Sequence, residues 1–331
     1  MRCVSRPHRT SRHGGPNSNA VSQNSDDGLA ANPPERAPGA ANMPTVFAPE
    51  QASGRSPAIH AFDACAHEFD DRFGAWRSVA AQRRAVRRHL LRTFPEGSRL
   101  LELGGGTGDD ALFLAERGRN VVLTDGSPAM VAHAAEKVRA AGWRHRIETR
   151  ELALGQLAEV GRRWNGTPFD GAYSNFAALN CVPDLALAAR GLAPLLRPGA
   201  SVLLVVFGRW AVGEILIQLA LGNHRVAFRR FARGDVPARL GGHKFTVRYP
   251  SLGDFRRAFV PYFRLVRTRG IGVFVPPSAA EPAISSYPRL LAGLETLDRL
   301  ASVPLAFFGD HILLHFIRTS APVESDEHRN E

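Results

Sequence analysis

The segment 99–115 constrains the fold of this chain more than any other. It runs from an apolar strand through the alternating glycines Gly104, Gly106 and Gly108 directly into a helical pattern. Glycine tolerates positive φ and has no side chain, so backbone N–H groups and a helix N-terminus can approach a ligand closely at such a turn. A strand, a glycine turn and a helix in this order predict a ligand site at the carboxyl end of the strand.

Strand and helix patterns alternate through the middle of the chain. Short apolar strands are expected at 99–103, 120–125, 146–150, 169–174 and 201–207, with a helix or a loop between each pair. Such alternation is typical of an open, doubly wound α/β sheet with helices on both faces. We therefore expect a Rossmann-like fold.

Polar residues stand at the carboxyl ends of four of these strands. They are Glu102, Asp125, Glu151 and Asn175. Because the carboxyl ends of parallel strands meet at one edge of a sheet, we expect these side chains to converge. Their convergence predicts a ligand site rather than an ordinary solvated surface.

The glycine spacing argues against a dinucleotide. The Gly-x-Gly-x-x-Gly fingerprint that starts at Gly104 requires a third glycine where this chain has Asp109. A carboxylate at a phosphate-binding helix N-terminus would repel the phosphates. The spacing favours a ligand that has no phosphates.

An early carboxylate before the glycines and a later one after the next strand suit S-adenosylmethionine (SAM), which carries a sulfonium, an ammonium and a ribose diol. On this interpretation Glu102 binds the ammonium, directly or through water, or else caps the glycine turn. Asp125 accepts hydrogen bonds from the ribose hydroxyls. Met130 lies against the adenine, and Glu151 or the adjacent backbone receives the adenine amino group.

Several stretches resemble the class I SAM-dependent methyltransferases, and most closely the small-molecule branch (type 11) that includes ubiquinone and menaquinone biosynthesis enzymes. They are Leu101–Gly108, Thr124–Met130, Phe169–Phe176 and the turn Leu195–Gly199. The chain departs from that family at Glu151-Leu152, where Asp-Ala is usual, and at Asn180-Cys181, where a His pair is frequent.

The resemblance implies SAM as the cofactor and two further strands, over 263–275 and 308–318, of which the second is antiparallel. The expected sheet order is 3-2-1-4-5-7-6, with a helical cap insertion after the fifth strand. The residues expected to bind the cofactor are Glu102, Gly104, Gly105, Gly106, Gly108, Asp125, Gly126, Met130, Glu151, Leu152, Ser174 and Asn175.

Methyl transfer from SAM is an in-line displacement, so the protein contributes mainly proximity and orientation. A general base is needed only when the acceptor must lose a proton. The catalytic candidates are Asn175, at the end of a central strand, and His224 and His243 in the cap; His311 is expected to be a strand-edge or core histidine. No His, Cys or carboxylate grouping has metal-ligand spacing, so no metal is expected.

The net charge of +11 is unevenly distributed. Residues 209–270 hold 13 basic and three acidic residues. The expected acceptor is a small hydrophobic or amphipathic molecule, such as a quinone precursor, a polyketide or a lipid, held between the sheet edge and the cap insertion at about 208–260. The basic cap also suggests a peripheral membrane contact. The oligomeric state is left open.

Two long amphipathic patterns complete the interpretation. A helix over 76–93 is expected to direct four arginines to solvent: Arg83, Arg84, Arg87 and Arg88. Another helix over 210–233 is expected to present one apolar face. Phe69 and Phe73 either close over the donor or simply pack.

Residues 59–319 are expected to form the methyltransferase domain. The polar segments 1–58 and 320–331 are expected to be disordered, and Met43 is an alternative start to Met1. Three widely spaced cysteines and the lack of an apolar run of membrane-spanning length favour a cytoplasmic location.

Two other functions remain open. A nucleic-acid methyltransferase would explain the positive charge, but the fourth strand ends in Ser-Asn-Phe-Ala rather than in the Pro-Pro motif of base-amino methyltransferases. A non-catalytic SAM-binding regulatory protein would use the same donor site.

Overall fold

The structure is a computed structural model that describes residues 56–320, apart from the side chain of Arg72. The predicted disordered segments lie largely outside these residues. The core is a sheet of seven strands in the order β3-β2-β1-β4-β5-β9-β8. Its strands are β1 (Arg99–Leu103), β2 (Asn120–Asp125), β3 (Ile147–Glu151), β4 (Phe169–Ser174), β5 (Leu196–Phe207), β8 (Phe263–Ile271) and β9 (His311–Arg318).

The strands β1 to β5 pair in parallel, whereas β9 is antiparallel to both of its neighbours. This confirms the expected doubly wound sheet and its order, with β8 as the sixth strand and β9 as the antiparallel seventh. A separate hairpin joins β6 (Val236–Leu240) to β7 (His243–Val247).

Helices cover both faces of the sheet. They are α1 (Pro57–Cys65), α2 (Phe69–Gly74), α3 (Arg77–Thr93), α4 (Asp109–Ala115), α5 (Pro128–Ala140), α6 (Leu157–Arg163), α7 (Leu185–Leu192), α8 (Val212–Ala220), α9 (His224–Ala227), α10 (Leu252–Phe259) and α11 (Pro288–Ala301). The helices α3, α4 and α5 bury apolar side chains against one face. On the other face α6, α7 and α10 do the same. The central strand β5 contributes to both clusters, as a strand buried on two faces must.

The N-terminal helices and the hairpin meet above the carboxyl edge of the sheet. Ser56 caps α1, and its hydroxyl accepts the N–H of Ile59 at 3.4 Å. Ala61 and Cys65 of α1 pack with Leu240 of the hairpin. The cap therefore reaches back to the first helix rather than standing alone.

The prediction of one long helix over 210–233 is wrong. The chain forms α8, then α9 and a 3₁₀ turn at Arg229–Phe231. Gly222 adopts φ +73 and ends the first helix, as glycine commonly does. The following arginines then fold back and pair with Glu214 of α8.

Within the part of the chain that the structure describes, no helix has the length and apolar character needed to span a bilayer.

Candidate cofactor site

The glycine turn between β1 and α4 is built from residues with positive φ. Gly104, Gly106 and Gly108 have φ of +68, +55 and +84. A Cβ at Gly104 would lie 2.4 Å from that of Ala178, whereas a Cβ at Gly106 would meet nothing within 4 Å. Gly104 is therefore required for packing, and Gly106 faces open space where a ligand can approach.

Asp125 fixes this turn from the end of β2. Its Oδ2 accepts the N–H of Gly106 at 2.9 Å, and its Oδ1 accepts the N–H of Ser127 at 2.9 Å. Burial raises the pKa of Asp125, while these backbone N–H groups act in the opposite direction. The N–H of Gly126 also acts on this carboxylate, so three backbone donors hold it at the edge of the glycine turn.

Glu102 carries a buried carboxyl group. The residue is 2% exposed. Its Oε2 makes no hydrogen bond of ordinary geometry within the described residues, but the buried hydroxyl of Tyr173 lies beside the carboxyl and acts to lower its pKa. Burial and the neighbouring Asp110 raise the pKa of Glu102 well above its usual value. Glu102 thus lies within β1 beside the glycine turn, as predicted, but protein atoms enclose its Oε2, with the Tyr173 hydroxyl beside it.

Two arginines of α3 point into the site, contrary to the prediction that both face solvent. Arg83 pairs with Asp109, and Arg87 donates to Asp110 at 2.6 Å. Asp109 and Asp110 begin α4 directly after the glycine turn, so these ion pairs hold α3 against the start of α4. The Nε of Arg83 is buried without a hydrogen-bond partner among the described residues.

The turn after β4 is strained. Phe176 and Ala177 adopt φ of +50 and +69, which is uncommon for residues with a side chain. The side chain of Asn175 holds the turn, since its Oδ1 accepts the N–H of Phe176 and its Nδ2 donates to Asp110 at 2.6 Å. Ser174, also predicted at the site, donates its hydroxyl to the carbonyl of Leu103 at 2.8 Å.

The remaining predicted residues lie around the ends of β2 and β3. Glu151 pairs in register with Asp125, and Leu152 is buried and donates its N–H to the carbonyl of Asp125 at 2.8 Å. Met130 is buried in α5. Gly126 is covered by Ile59, whose Cδ1 would lie 2.8 Å from an added Cβ. The neighbouring Gly105 donates its N–H to the carbonyl of Thr124 at 2.9 Å.

Two acids of the N-terminal helices were missed by sequence reasoning. Asp63 accepts the Ser127 hydroxyl at 2.8 Å. Asp70 accepts the Thr107 hydroxyl at 2.6 Å and pairs with Lys137 at 2.7 Å. Both acids follow a phenylalanine, seven residues apart, and this repeated Phe-Asp pair was the available signal. They fasten α1 and α2 over the glycine turn.

An aromatic wall stands beside the donor edge, at the ends of β4 and β5. The ring of His311 stacks on Phe207 with centroids 5.0 Å apart and meets Phe176 edge-on at 5.5 Å. Tyr249 lies 5.6 Å from Phe207. The guanidinium of Arg83 lies 5.4 Å from the centre of the Phe176 ring. Phe176 thus contacts both Arg83 and His311.

Two side chains hold the ring of His311 through its Nδ1. Its Nδ1 lies 3.2 Å from Oε1 of Gln82 and 3.3 Å from Oδ2 of Asp310, and both oxygens are acceptors. The proton of a neutral ring therefore resides on Nδ1, which leaves Nε2 as a proton acceptor. His224 and His243, the histidines named from the sequence, are exposed on α9 and on the hairpin.

No group of three or more potential metal ligands occurs within residues 56–320.

The central part of the chain is similar to known methyltransferases. Residues 101–202 match the family model described as a methyltransferase domain. A curated relative, the tRNA 5-carboxymethoxyuridine methyltransferase of Escherichia coli, is 30% identical over 136 residues, which is 41% of this chain and 49% of the relative. The chain thus spans about half the length of the curated relatives that it matches.

Among solved structures, a SAM-dependent methyltransferase from Mesorhizobium loti is 21% identical with a TM-score of 0.44, over 70% of this chain and 96% of that one. The CcbJ methyltransferase from Streptomyces caelestis is 14% identical with a TM-score of 0.46, over 72% and 90%.

Proposed function

We propose that this chain is a SAM-dependent methyltransferase that transfers the methyl group of SAM to a small hydrophobic or amphipathic acceptor. A quinone precursor, a polyketide or a lipid-like molecule fits this description. The observation that carries the proposal is the aromatic wall of Phe176, Phe207, Tyr249 and His311 beside the donor edge. Aromatic and apolar linings with few polar groups are typical of sites for small apolar ligands.

The residues at the donor edge fit SAM. The open space at Gly106 admits a ligand to the backbone. The carboxylate of Asp125, which ends β2 beside the glycine turn, suits a ribose diol. The carboxyl of Glu102 suits an ammonium group, bound directly or through water. When bound, SAM supplies a methyl group on a sulfonium, which is already activated for displacement.

The chain's own residues then contribute orientation and exclusion of water. Asp63 and Asp70 hold α1 and α2 over the turn. Asn175 fixes the strained turn that positions Phe176. Such positioning is the main catalytic contribution available to an in-line displacement.

We propose that His311 accepts the proton when the acceptor must lose one. Gln82 and Asp310 hold its Nδ1, so its Nε2 is the basic atom. Asn175 remains a candidate for orienting the acceptor, although protein groups already engage both ends of its amide. The exposed positions of His224 and His243 provide no argument for either as the base.

An RNA acceptor is the second candidate. It is favoured by the similarity to a tRNA methyltransferase over 136 residues and by the arginine-rich segment after β5. A non-catalytic SAM-binding role would leave the aromatic wall without a use.

One labelling experiment separates these functions. The full chain is incubated with SAM labelled in its methyl group, either with an organic extract of cells or with total tRNA. The proposal predicts label in the organic phase and none in tRNA, and Asp125→Ala serves as the inactive control. Label in tRNA alone would favour the second candidate, and no transfer despite SAM binding would favour the regulatory role.

A further inference from the structure

The helix α8 buries a charged residue and leaves each of its apolar residues exposed or half-buried. Its sequence from Val212 to Ala220 is almost wholly apolar, yet Glu214 is the only buried residue in it. Leu216 is 62% exposed. A surface helix of a globular protein normally shows the reverse arrangement.

Ion pairs hold α8 in this orientation. Glu214 pairs with Arg229 at 2.6 Å and with the buried Arg230. Arg230 also binds Asp310 at 2.6 Å and the carbonyl of Gly208 at 3.0 Å. A rotation of the helix that hid its leucines would break these buried pairs, so the apolar side stays outward.

We call five exposed apolar residues of α8 and its flanking segments the α8 surface. Isolated exposed apolar side chains are normal on proteins, whereas a concentration of large ones marks an interaction site. The members of the α8 surface and their exposed fractions are Trp210 (55%), Val212 (36%), Leu216 (62%), Leu221 (63%) and Phe228 (51%).

The charge around the α8 surface is positive. In the segment 210–233 the only acidic residue is Glu214, which is buried and paired. Arg225, Arg229 and Arg233 are all exposed. The solvent-facing charge of this segment is therefore entirely basic.

We propose that the α8 surface docks on an anionic lipid bilayer. Stable peripheral binding requires both apolar insertion and attraction to anionic headgroups, and this segment supplies both. A second copy of the chain is a poorer partner, because a symmetric contact would bring the same arginines together. RNA would use the arginines but not the aliphatic side chains, which do not stack on bases.

The α8 surface begins close to the aromatic wall of the candidate site. Trp210 lies three residues after Phe207 of the aromatic wall. The guanidinium of Arg230 lies 4.9 Å from the centre of the Phe207 ring and donates to the carbonyl of Asp310, directly before β9. Docking would place the acceptor side of the sheet edge against the bilayer. The proposal goes beyond the methyltransferase function and its test does not need the acceptor.

The test is co-sedimentation of the full chain with vesicles. Vesicles of phosphatidylcholine alone are compared with vesicles that contain equal parts of phosphatidylglycerol. The Leu216→Ser/Leu221→Ser double variant is compared with Leu300→Ser, which changes a 75% exposed leucine of α11. Unchanged S-adenosylhomocysteine affinity shows that each variant is folded.

We expect binding to the anionic vesicles that salt weakens, and a loss of about tenfold or more in the double variant only. Arg225→Gln/Arg233→Gln should reduce the preference for anionic lipid. The proposal is overturned by absent binding, by equal loss in Leu300→Ser, or by binding that does not depend on the leucines. If the wild-type chain were a dimer and the double variant a monomer, the α8 surface would be a contact between two copies of the chain. If the chain bound RNA but not vesicles, and the leucine changes left RNA binding intact, the arginines would serve an RNA partner.

Discussion

A methyl group added at Gly106 should block the cofactor without a steric clash inside the protein. Gly106 has φ +55, and a Cβ there would meet no atom within 4 Å. Its N–H is held by Asp125 at 2.9 Å, so the peptide cannot easily shift to accommodate the ligand. In Gly106→Ala the new carbon therefore occupies space that the ligand needs.

The matched control is Gly142→Ala. Gly142 has φ +76 and also has open space at its Cβ position. It follows the C-terminal end of α5, which has 13 residues, so it lies about 20 Å along that helix from the turn. Each variant should carry the left-handed strain of alanine, about 1–2 kcal/mol, which lowers the midpoint of thermal unfolding by about 2–8 °C.

The affinities for S-adenosylhomocysteine should separate the two variants. Adding a carbon to a filled site costs about 1–3 kcal/mol, or about 5- to 150-fold in dissociation constant. Isothermal titration should show this loss in Gly106→Ala and wild-type affinity in Gly142→Ala. Equal affinities in the two variants would refute the assignment of Gly106 to the cofactor's path.

Four further predictions concern single side chains. Asp125→Ala should weaken SAM binding from several-fold to about a hundredfold, because charge-assisted hydrogen bonds to the ribose are lost; unchanged calorimetric affinity would remove Asp125 from the site. Since the pKa of Glu102 is raised well above 4.5, binding of the SAM ammonium should release a proton, and the affinity for SAM should rise from acid pH towards neutrality. Calorimetry in buffers of different ionisation enthalpy should detect the released proton, and Glu102→Gln should abolish this proton release. Burial and neighbouring arginines lower the pKa of His89 from 6.5 to about 4, so the native state should lose stability as pH falls from 6.5 towards 4. The midpoint of thermal unfolding should fall less with acid in His89→Leu than in the wild type, and an equal dependence of the two midpoints on pH would count against this. His311→Asn should slow methyl transfer to the labelled acceptor and leave the affinity for S-adenosylhomocysteine unchanged; wild-type turnover would exclude His311 as the base.

The sheet could be predicted because its information is local. Each strand is a short apolar run, and the polar residues Glu102, Asp125 and Asn175 stand where the strands end. The antiparallel seventh strand came from the resemblance alone, and the pairing of β9 with β5 and β8 confirms it.

The errors arise where distant charges decide the outcome. Arg83 and Arg87 look like a solvated face in the helical pattern, yet Asp109 and Asp110 draw them inward. No local pattern reveals that pairing, because more than 20 residues separate the partners.

The same reasoning explains the cap and the aromatic wall. The helix α8 ends just before Gly222, which the sequence reveals. The segment after it folds back onto α8 because Arg230 pairs with Glu214 and Asp310, which the sequence does not reveal. His311 joins Phe207 only through the register of β9 on β5. Its contact with Gln82 spans 229 positions in the sequence. Sequence periodicity treats such a histidine as an ordinary strand residue.

The most direct test of the account is a crystal structure of the full chain with S-adenosylhomocysteine. The account predicts the ribose diol on the carboxylate of Asp125, the amino group at Glu102 and the sulfur facing the aromatic wall of Phe176 and Phe207. A ligand bound away from the glycine turn, or with its sulfur directed away from this wall, would contradict it.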